Sequence, residues 1–493
     1  MRVVILMTGS VLFAMVSGGA HDMGAVSGQA RVGRKPMTRS LDDAAHDDVR
    51  LAATTSAAAS PPSGMSAGAV PDTPQAPGTS PNPPEKNEWF MDLGLGMFVH
   101  WGVDSQLGSV ISHSLVGASD DYAERFFNEL PKTFDPTAFD PAAWACLAKV
   151  AGIQYIMFTA KHHSGFCMFA TETTPFNIMN TPYGRDIVAR VVEAFRAEDI
   201  AVGFYFSPED FWFLHQQGKP IARKRDYAYT SANPELRAHN ERQLRELFTN
   251  YGHIDLAFLD SFYNDAAVAS VRAADPGVVI TRGVMATPEQ ETPDEPVPGP
   301  WEACYTLGTQ WQFKPTHEDY KSGTQLIEML IEIRAKGGNL LLNVGPEPSG
   351  VIPFEQERRM RELGLWLFVN REAVYAVRPW HVIRGGDIWF TKAKDADTLY
   401  AFLTKQAPWP RGERRDFVIT SARATDETSI DVLGHGGEVV EYRPEANGAP
   451  RFEQRADGLH VSVVRAQRLY NDHQWPNPVV VRLKHVAPVA KAD

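Results

Sequence analysis

Polar and aromatic residues stand at or just beyond the ends of several apolar segments of strand length. The clearest example is the apolar segment 155–160, which is followed by Lys161, His162 and His163. Strands buried on both faces of a sheet are almost continuously apolar, and polar groups at their carboxyl ends form the sites of parallel α/β folds. The residues in such positions are His100, Trp101, Lys161, His162, His163, Tyr205, Asp260, Arg282 and Glu302, with Trp311 nearby in the chain.

Two of these residues, Asp260 and Glu302, carry carboxyl groups, and the others include imidazole, phenol, indole and guanidinium groups. Cleavage of a glycosidic bond uses a carboxylic acid beside the leaving oxygen and a carboxylate on the other side of the bond. Imidazole, phenol and guanidinium groups form hydrogen bonds with sugar hydroxyls. The set therefore predicts a carbohydrate site in which Asp260 and Glu302 are the catalytic pair.

Each of these residues also has a purely structural interpretation. Asp260 can cap the turn that follows it, a common role of aspartate, and Glu302 can pair with a neighbouring Arg or Lys. Trp101 and Trp311 belong to a residue type that is usually packed in cores, and His100 can be a buried histidine with satisfied hydrogen bonds.

A metal centre at His100, His162 and His163 is the competing chemical interpretation. Adjacent strand residues point to opposite faces, so His162 and His163 can share an ion only where the strand geometry breaks down. The chain has no His-x-x-x-His or Cys-x-x-Cys spacing to support such a centre. No Gly-x-Ser-x-Gly turn follows any of the strands either, which argues against a serine hydrolase. We therefore expect a site without a metal.

The strand segments alternate with helical patterns over about 280 residues. Asp140 followed by Pro141, for example, is typical of a helix start, and apolar residues recur after it at helical spacing. About seven such strands predict a parallel α/β fold, and the length favours a (β/α)8-like TIM barrel over an open sheet. No glycine-rich phosphate loop follows any of the strands, which argues against nucleotide chemistry.

The predicted barrel, residues 87–377, is followed by a segment with a different sequence pattern. Beyond residue 378, short β-type segments alternate with Gly, Pro, Asp and Asn. This pattern predicts a C-terminal antiparallel β-sandwich over residues 378–493. Stabilising the barrel or framing its substrate is the role we expect for it.

The residues before the barrel predict export from the cell. Residues 1–20 contain Arg2, an apolar run and small residues up to Ala20, which is the plan of a secretory signal peptide. Residues 21–86 are rich in Ala, Ser, Pro and Gly and lack apolar periodicity, so we expect a disordered linker. The protein is then periplasmic or secreted, or tethered to a membrane if the N-terminus is not cleaved.

The overall composition excludes some classes of partner. Of the 493 residues, 43% are hydrophobic and 22% are charged, as in ordinary globular proteins. A formal net charge of −12 argues against nucleic acid or an anionic membrane as the main partner. After the N-terminal run, no stretch is long and apolar enough for a membrane-spanning helix, so we expect no integral span.

The strand-end residues belong to longer motifs that occur in a fixed order. The most specific are Lys161-His162-His163-Ser164-Gly165-Phe166 and the Gly-Gly-Asn-Leu-Leu-Leu-Asn sequence at 337–343. Further matching segments are residues 96–102, 256–260, 301–302 and 366–370. In order and spacing, from about residue 89 to about residue 380, the chain resembles the α-L-fucosidases of glycoside hydrolase family 29.

The resemblance implies a retaining exo-α-L-fucosidase that removes terminal α-L-fucosyl groups from glycans or glycoconjugates without a cofactor. Asp260 matches the family's nucleophile, and Glu302 matches a glutamate taken as the general acid/base, whose pKa must be raised by burial or by Asp260. Trp101 lies within the first matching motif and is counted among the substrate-binding residues. The substrate-binding positions implied in this way are His100, Trp101, His162, His163, Tyr205, Phe258, Arg282 and Trp311.

Two departures from the family pattern keep alternatives open. Asp260 is followed by Ser261, where the family commonly has glycine. A Glu-Trp-Tyr motif expected after the first strand is missing, and Asp120 is the nearest carboxylate to its position. The alternatives are a non-catalytic fucose-binding homologue and a glycosidase for a related sugar.

Overall fold

A computed structural model of the chain describes residues 82–261, 264–406, 408–466 and 477–489. The segment expected to be a signal peptide, residues 1–20, lies outside these ranges, as does the expected linker up to residue 81. The last residues of that linker enter the first helix, α1 (Pro84–Leu93), which starts at a proline, as helices often do. Within the described ranges, no helix combines the length and the apolar character needed to cross a membrane.

Seven parallel strands form one curved sheet at the centre of the fold. They are β1 (Leu95–Val99), β2 (Tyr155–Lys161), β3 (Ala201–Phe206), β4 (Leu256–Leu259), β5 (Val279–Ile280), β6 (Glu302–Thr306) and β7 (Asn339–Val344). The order across the sheet is β5-β4-β3-β2-β1-β7-β6. Almost all of their residues are buried, as expected for strands covered on both faces. The sheet and its alternation with helices confirm the predicted (β/α)-barrel fold.

Residues 286–290 run along the free side of β6. Parallel bridges join Ala286 to Trp301 and Glu289 to Cys304, and the Gln290 N–H donates a hydrogen bond to the Cys304 carbonyl. This segment follows β5 in the chain and adds a further parallel stretch along β6. Glu289 is thereby held beside the middle of β6.

The helices that connect and cover the strands begin at recognisable caps. Asp140 accepts hydrogen bonds from the N–H groups of Ala142 and Ala143, so the helix start predicted there is confirmed. Ser322 and Gln325 form a reciprocal capping box at another start. The helices are α2 (Asp120–Asn128), α3 (Leu130–Thr133), α4 (Pro141–Val150), α5 (Ile187–Ala197), α6 (Phe211–Gln216), α7 (Pro234–Thr249), α8 (Asp265–Ala274), α9 (Gly323–Ala335) and α10 (Phe354–Asn370).

Side chains of the barrel strands alternate between the barrel interior and the layer beneath the helices. Trp101 belongs to the outer layer, where it is 1% exposed and packs against Phe139 and Trp144. Its Nε1–H donates a hydrogen bond to the Glu347 carbonyl. The neighbouring His100 takes the inward direction at this strand end. The structure therefore does not bring Trp101 to the site, contrary to the substrate-binding role expected for it.

The C-terminal part of the chain forms two antiparallel sheets, as the predicted β-sandwich requires. One sheet has the order β12-β15-β10-β9-β8 and the other has the order β11-β14-β13, and valine and leucine side chains from both share one apolar core. The strands are β8 (Val377–Gly385), β9 (Ile388–Ala393), β10 (Thr398–Leu403), β11 (Arg414–Ile419), β12 (Ala422–Val432), β13 (Arg451–Arg455), β14 (Gly458–Val464) and β15 (Val479–Pro488).

Glu302 lies at the amino-terminal end of the barrel, away from the strand ends at which a site is expected. It is the first residue of β6 and pairs in register with Asn339, the first residue of β7. Its side chain is fully buried, and its Oε2 accepts a 2.5 Å hydrogen bond from the hydroxyl of Tyr155, the first residue of β2. Burial raises the pKa of Glu302 to about 7, although the Tyr155 bond opposes the rise. This placement does not fit the predicted acid/base role, because substrate cannot reach the carboxyl group.

The raised pKa of Glu302 makes a prediction about stability. A carboxyl group whose pKa is higher in the folded than in the unfolded state loses stability as the pH rises from about 4.5 to about 7. The loss is on the order of 3 kcal/mol at pH 8. We expect Glu302→Gln, which keeps an acceptor for Tyr155 but cannot ionise, to gain melting temperature relative to wild type between pH 5 and pH 8. Thermal unfolding of both proteins at both pH values measures this gain. The same difference in melting temperature at pH 5 and pH 8 would contradict a carboxyl group that is buried and protonated.

Candidate active site

Asp260 is the charged centre of the carboxyl-terminal end of the barrel. It follows β4 directly, and its side chain is 20% exposed. Its Oδ2 accepts a 2.7 Å hydrogen bond from the Tyr205 hydroxyl, and its Oδ1 accepts a 2.9 Å bond from Arg282 Nη1. Burial opposes ionisation, but the Arg282 charge and the Tyr205 hydrogen bond outweigh it and hold the pKa of Asp260 well below its ordinary value. The group is therefore a carboxylate at neutral pH.

Tyr205, rather than Phe206, is the β3 residue that faces Asp260. Phe206 points to the other side of the sheet, where Lys161 Nζ lies 4.3 Å from its ring centre. Burial and the charge of Asp260 raise the pKa of the Tyr205 phenol far above its ordinary value. Tyr205 consequently stays protonated and acts as a hydrogen-bond donor.

Arg282 connects Asp260 to a second carboxylate, Glu289. The same Nη1 that contacts Asp260 Oδ1 at 2.9 Å lies 3.1 Å from Glu289 Oε2. These two contacts limit the separation of the carboxylate oxygens to about 6 Å, near the ~5–5.5 Å that is typical of retaining glycosidases. The Glu289 side chain is 28% exposed, so it is open to a substrate. The carboxylate pair at this end of the barrel is therefore Asp260 and Glu289.

The orientation of Arg282 is set by further contacts. Its Nε–H donates to the Thr287 hydroxyl at 3.1 Å, and its Nη2 donates to the Thr287 carbonyl at 3.1 Å. Its guanidinium carbon lies 4.5 Å from the centre of the Phe258 ring, which is fully buried. Phe258 supports the cation from the barrel interior, and the loop residue Thr287 fixes the plane of the guanidinium group.

Three buried histidines lie near Asp260 in the pocket. Burial lowers the pKa of His100 to about 4, and it lowers the pKa of both His162 and His163 well below the ordinary value. His163 Nε2 lies 3.7 Å from Asp260 Oδ2, and the His162 ring stacks on Tyr205 at 5.2 Å. All three imidazoles are neutral at pH 7, a state in which each ring has one donor and one acceptor nitrogen.

Hydrogen bonds to neighbouring elements hold these imidazoles in place. His162 Nδ1 lies 2.8 Å from the Ser112 hydroxyl, and His163 Nδ1 lies 2.5 Å from the Ser207 hydroxyl. His100 Nδ1 donates a 2.6 Å bond to Oδ1 of the Asn343 side chain. In each case Nδ1 is engaged, so the Nε2 atom is left to face the pocket.

Trp311 completes the wall beside His100. Its ring centre lies 4.9 Å from that of His100 and 5.9 Å from that of Phe98. The Trp311 side chain is half-buried, so part of its face is open. The structure thus brings together all the predicted substrate-binding residues except Trp101, with Phe258 beneath the others.

Sequence reasoning missed two residues of the site, Glu289 and His113. Glu289 follows a short loop instead of a strand, and the signal that identifies it is the acidic segment 287–291 just after Arg282. His113 lies in a 3₁₀ turn after β1, with its ring 5.5 Å from His163 and 6.2 Å from His162. Asp120, the residue considered for the missing glutamate, is instead an exposed first-turn residue of α2.

A metal ion is a poor match for this pocket. Within the part of the chain that the structure describes, His162, His163 and Asp260 form a group whose ligand atoms lie within 4.8 Å of one another. Both oxygens of Asp260, however, already accept hydrogen bonds, one of them from the Arg282 guanidinium. A fixed cation at this position repels a second one, and neutral imidazoles beside a carboxylate suit hydroxyl groups well.

Comparisons with known proteins agree with this arrangement. Plasma alpha-L-fucosidase from Rattus norvegicus is 28% identical over 385 residues, which are 71% of this chain and 83% of the relative. The human plasma alpha-L-fucosidase is 27% identical over 397 residues, covering 73% of this chain and 84% of the relative. The solved structure of alpha-L-fucosidase isoenzyme 1 from Paenibacillus thiaminolyticus has 27% identity and a TM-score of 0.64, covering 81% of this chain and 98% of that chain.

The sequence profile of a whole family also matches the barrel. The profile described as alpha-L-fucosidase matches residues 72–372, which is more than half of the 493 residues. The resemblance seen in the strand-end motifs is thereby confirmed, and this chain belongs to the alpha-L-fucosidase family, glycoside hydrolase family 29.

Proposed function

We propose that this retaining α-L-fucosidase releases terminal α-L-fucose from glycans or glycoconjugates with Asp260 as nucleophile and Glu289 as general acid/base. The observation that carries the assignment is the single Arg282 nitrogen that contacts both carboxylates, at 2.9 Å and 3.1 Å. Glu302, which is buried at the other end of β6, is a structural residue in this proposal.

In the first step, the Asp260 carboxylate attacks the anomeric carbon of the fucosyl group. Glu289 gives its proton to the glycosidic oxygen, and the bond between that oxygen and the anomeric carbon breaks. The product is a fucosyl ester of Asp260, together with the free alcohol or glycan. The neutral His100, His162 and His163 bind the fucose hydroxyls meanwhile, without adding positive charge to the pocket.

In the second step, a water molecule takes the place of the departed alcohol. Glu289, now a carboxylate, removes a proton from the water, which attacks the anomeric carbon and releases Asp260. Two inversions leave the configuration of the sugar unchanged. Arg282 and Tyr205 hold Asp260 as a good leaving group, since both stabilise its ionised form.

Related proteins support a covalent intermediate of this kind. A glycoside hydrolase family 29 alpha-L-fucosidase from Bacteroides thetaiotaomicron has been solved as a trapped covalent intermediate with 2-fluoro-fucosyl fluoride. The structure of Thermotoga maritima alpha-fucosidase has been solved with a mechanism-based inhibitor. Both share the fold of this chain, with TM-scores of 0.64 and 0.63.

The activity itself is tested with 4-nitrophenyl α-L-fucoside. We expect release of nitrophenol, and proton NMR during the first turnovers should show α-L-fucose before it mutarotates. Initial formation of β-L-fucose would contradict retention. Binding of fucose without any hydrolysis would instead identify a non-catalytic fucose-binding protein, and a preference for another glycoside would identify a different sugar.

Removing the proposed nucleophile should leave a characteristic product. We expect Asp260→Gly to lower kcat by roughly a thousandfold or more, because no covalent intermediate forms. Azide should restore turnover by attacking from the vacated side, which gives β-L-fucosyl azide from an α-fucoside. Retained activity in this variant would place the nucleophile elsewhere.

Removing the proposed acid/base should give the opposite anomer. We expect Glu289→Ala to lower kcat/KM by about a hundred- to ten-thousandfold on substrates with poor leaving groups, and less on aryl fucosides. Azide then attacks the fucosyl ester and gives α-L-fucosyl azide. Glu302→Gln is the matched control, and it should retain activity and form no azide adduct. An α-azide product from the Glu302 variant, and none from the Glu289 variant, would reverse the assignment.

We also propose that the protein is exported from the cytoplasm. Export is supported by the signal-peptide pattern of residues 1–20 and by the name plasma alpha-L-fucosidase, which several relatives carry. Mass spectrometry of the protein from separated cell fractions tests it. A mature N-terminus shortly after Ala20, outside the cytoplasm, is the expected result, and an intact Met1 in the cytoplasm would contradict export.

A further inference from the structure

A basic segment lies beside the pocket of this otherwise acidic protein. Lys219, Arg223, Lys224 and Arg225 fall within seven residues between α6 and α7, although the whole chain has a formal net charge of −12. The segment follows the carboxyl end of β3, which is the end of the barrel that carries Asp260. Lys224 and Arg225 are solvent-exposed, whereas Arg223 is turned inward and its side chain is 22% exposed.

Arg223 is held by a fully buried carboxylate. Its Nε–H donates a 2.9 Å hydrogen bond to Glu209 Oε2, and its Nη2 lies 3.5 Å from Glu209 Oε1. The Glu209 side chain is completely buried, so its charge requires a partner. The lateral edge of the guanidinium group thus faces Glu209. Within the described ranges, Nη1 has no hydrogen-bond partner, which leaves the end-on edge open.

The same pair is connected to the sugar-binding histidines. The Glu209 N–H donates to the Ser207 hydroxyl at 3.1 Å, and that hydroxyl lies 2.5 Å from His163 Nδ1. Burial lowers the pKa of both His113 and His163, and the charge of Arg223 lowers it further. Arg223 therefore lies close enough to act on the pocket, on the side formed by the loops after β1, β2 and β3.

Arg223 has no role in the proposed cleavage reaction. Asp260, Glu289 and Arg282 account for the cleavage of a neutral fucoside, and neutral side chains bind its hydroxyl groups. A second, partly open guanidinium group beside a pocket is suited to an oxyanion, because its planar donors match a carboxylate or sulfate in a bidentate manner. The neighbouring exposed cations would add longer-range attraction for the same kind of ligand.

We propose that Arg223 binds a sulfate or carboxylate substituent of the substrate, so that the preferred substrates are anionic fucosylated glycans. This inference rests on the α-fucosidase function proposed above and names the substrate class for the same site. Glu209 positions Arg223, and the exposed Lys224 and Arg225 lie at the outer edge of the same surface.

The test compares kcat/KM for three substrates: a neutral fucosyl disaccharide, the same disaccharide with a sulfate on the fucose, and one with a uronic acid next to the fucose. We expect wild type to favour at least one anionic substrate, and the favoured one identifies the source of the oxyanion. The preference should fall as the salt concentration rises, because salt screens partly exposed charges.

Variants then assign the preference to Arg223. We expect Arg223→Gln to lower the ratio of anionic to neutral kcat/KM by about ten- to a hundredfold, the usual effect of losing a charge-assisted hydrogen bond. Because this change leaves buried Glu209 unpaired, the double variant Glu209→Gln/Arg223→Gln provides a second measurement with the same expected ratio. Arg225→Gln is the matched control: it removes the same charge two residues away, loses only longer-range attraction, and should lower the ratio by no more than about threefold.

The outcomes separate this proposal from the function on which it rests. A wild-type enzyme that hydrolyses fucosides but favours the neutral disaccharide overturns the anionic substrate, as does an unchanged ratio in the double variant. If no fucoside is hydrolysed at all, the proposed function fails. Calorimetric titration of wild type and the double variant with fucose sulfate then decides the binding proposal, and equal affinities would reject it.

Discussion

The bridge from Arg282 to Asp260 and Glu289 is the interaction on which the chemistry of this pocket depends. Two carboxylates whose Arg282-bound oxygens are at most about 6 Å apart repel each other in a half-buried pocket, and the cation between them offsets that repulsion. The geometry in turn depends on the irregular segment 286–290, which lies along β6 and carries Glu289. The fully buried Phe258 ring and Thr287 hold the guanidinium group in plane, so the spacing of the two carboxylates is set before substrate arrives.

Burial disfavours the charged form of every ionisable group around this bridge, but only the imidazoles lose their charge. It makes the imidazoles of His100, His162 and His163 neutral, because the loss of hydration outweighs the attraction of a nearby carboxylate, even at His163, where an Asp260 oxygen lies 3.7 Å away. Asp260 stays charged in the same surroundings, since it accepts hydrogen bonds from both Arg282 and Tyr205. The site therefore combines one strongly ionised nucleophile with neutral hydroxyl-binding groups, which is what recognition and cleavage of a sugar require.

Glu302 shows why a raised pKa alone is a weak guide to catalysis. It has the pKa expected of a general acid, about 7, and it occupies the family motif predicted for that role. Burial beside Tyr155 at the amino end of β6 produces that pKa, and the same burial denies access to a substrate. Glu289 is open to solvent and contacts the cation that Asp260 uses, although its loop carries no strand pattern.

The sequence by itself determined the barrel, the β-sandwich and most of the residues that converge on the pocket. Strand patterns and the cap at Asp140 are local properties of the sequence, so the elements were predictable. The carboxyl ends of parallel strands lie at one end of a barrel, so Asp260, His162 and Arg282 were predictable as site residues. Two matters were decided only by the tertiary structure. Trp101 and His100 are adjacent and equally plausible, but the pleat turns one outward and the other inward. The register of the neighbouring segment pairs Glu289 with Cys304, whereas Glu302 lies two residues nearer the amino-terminal end of β6. This offset along β6 decides which carboxylate faces the pocket.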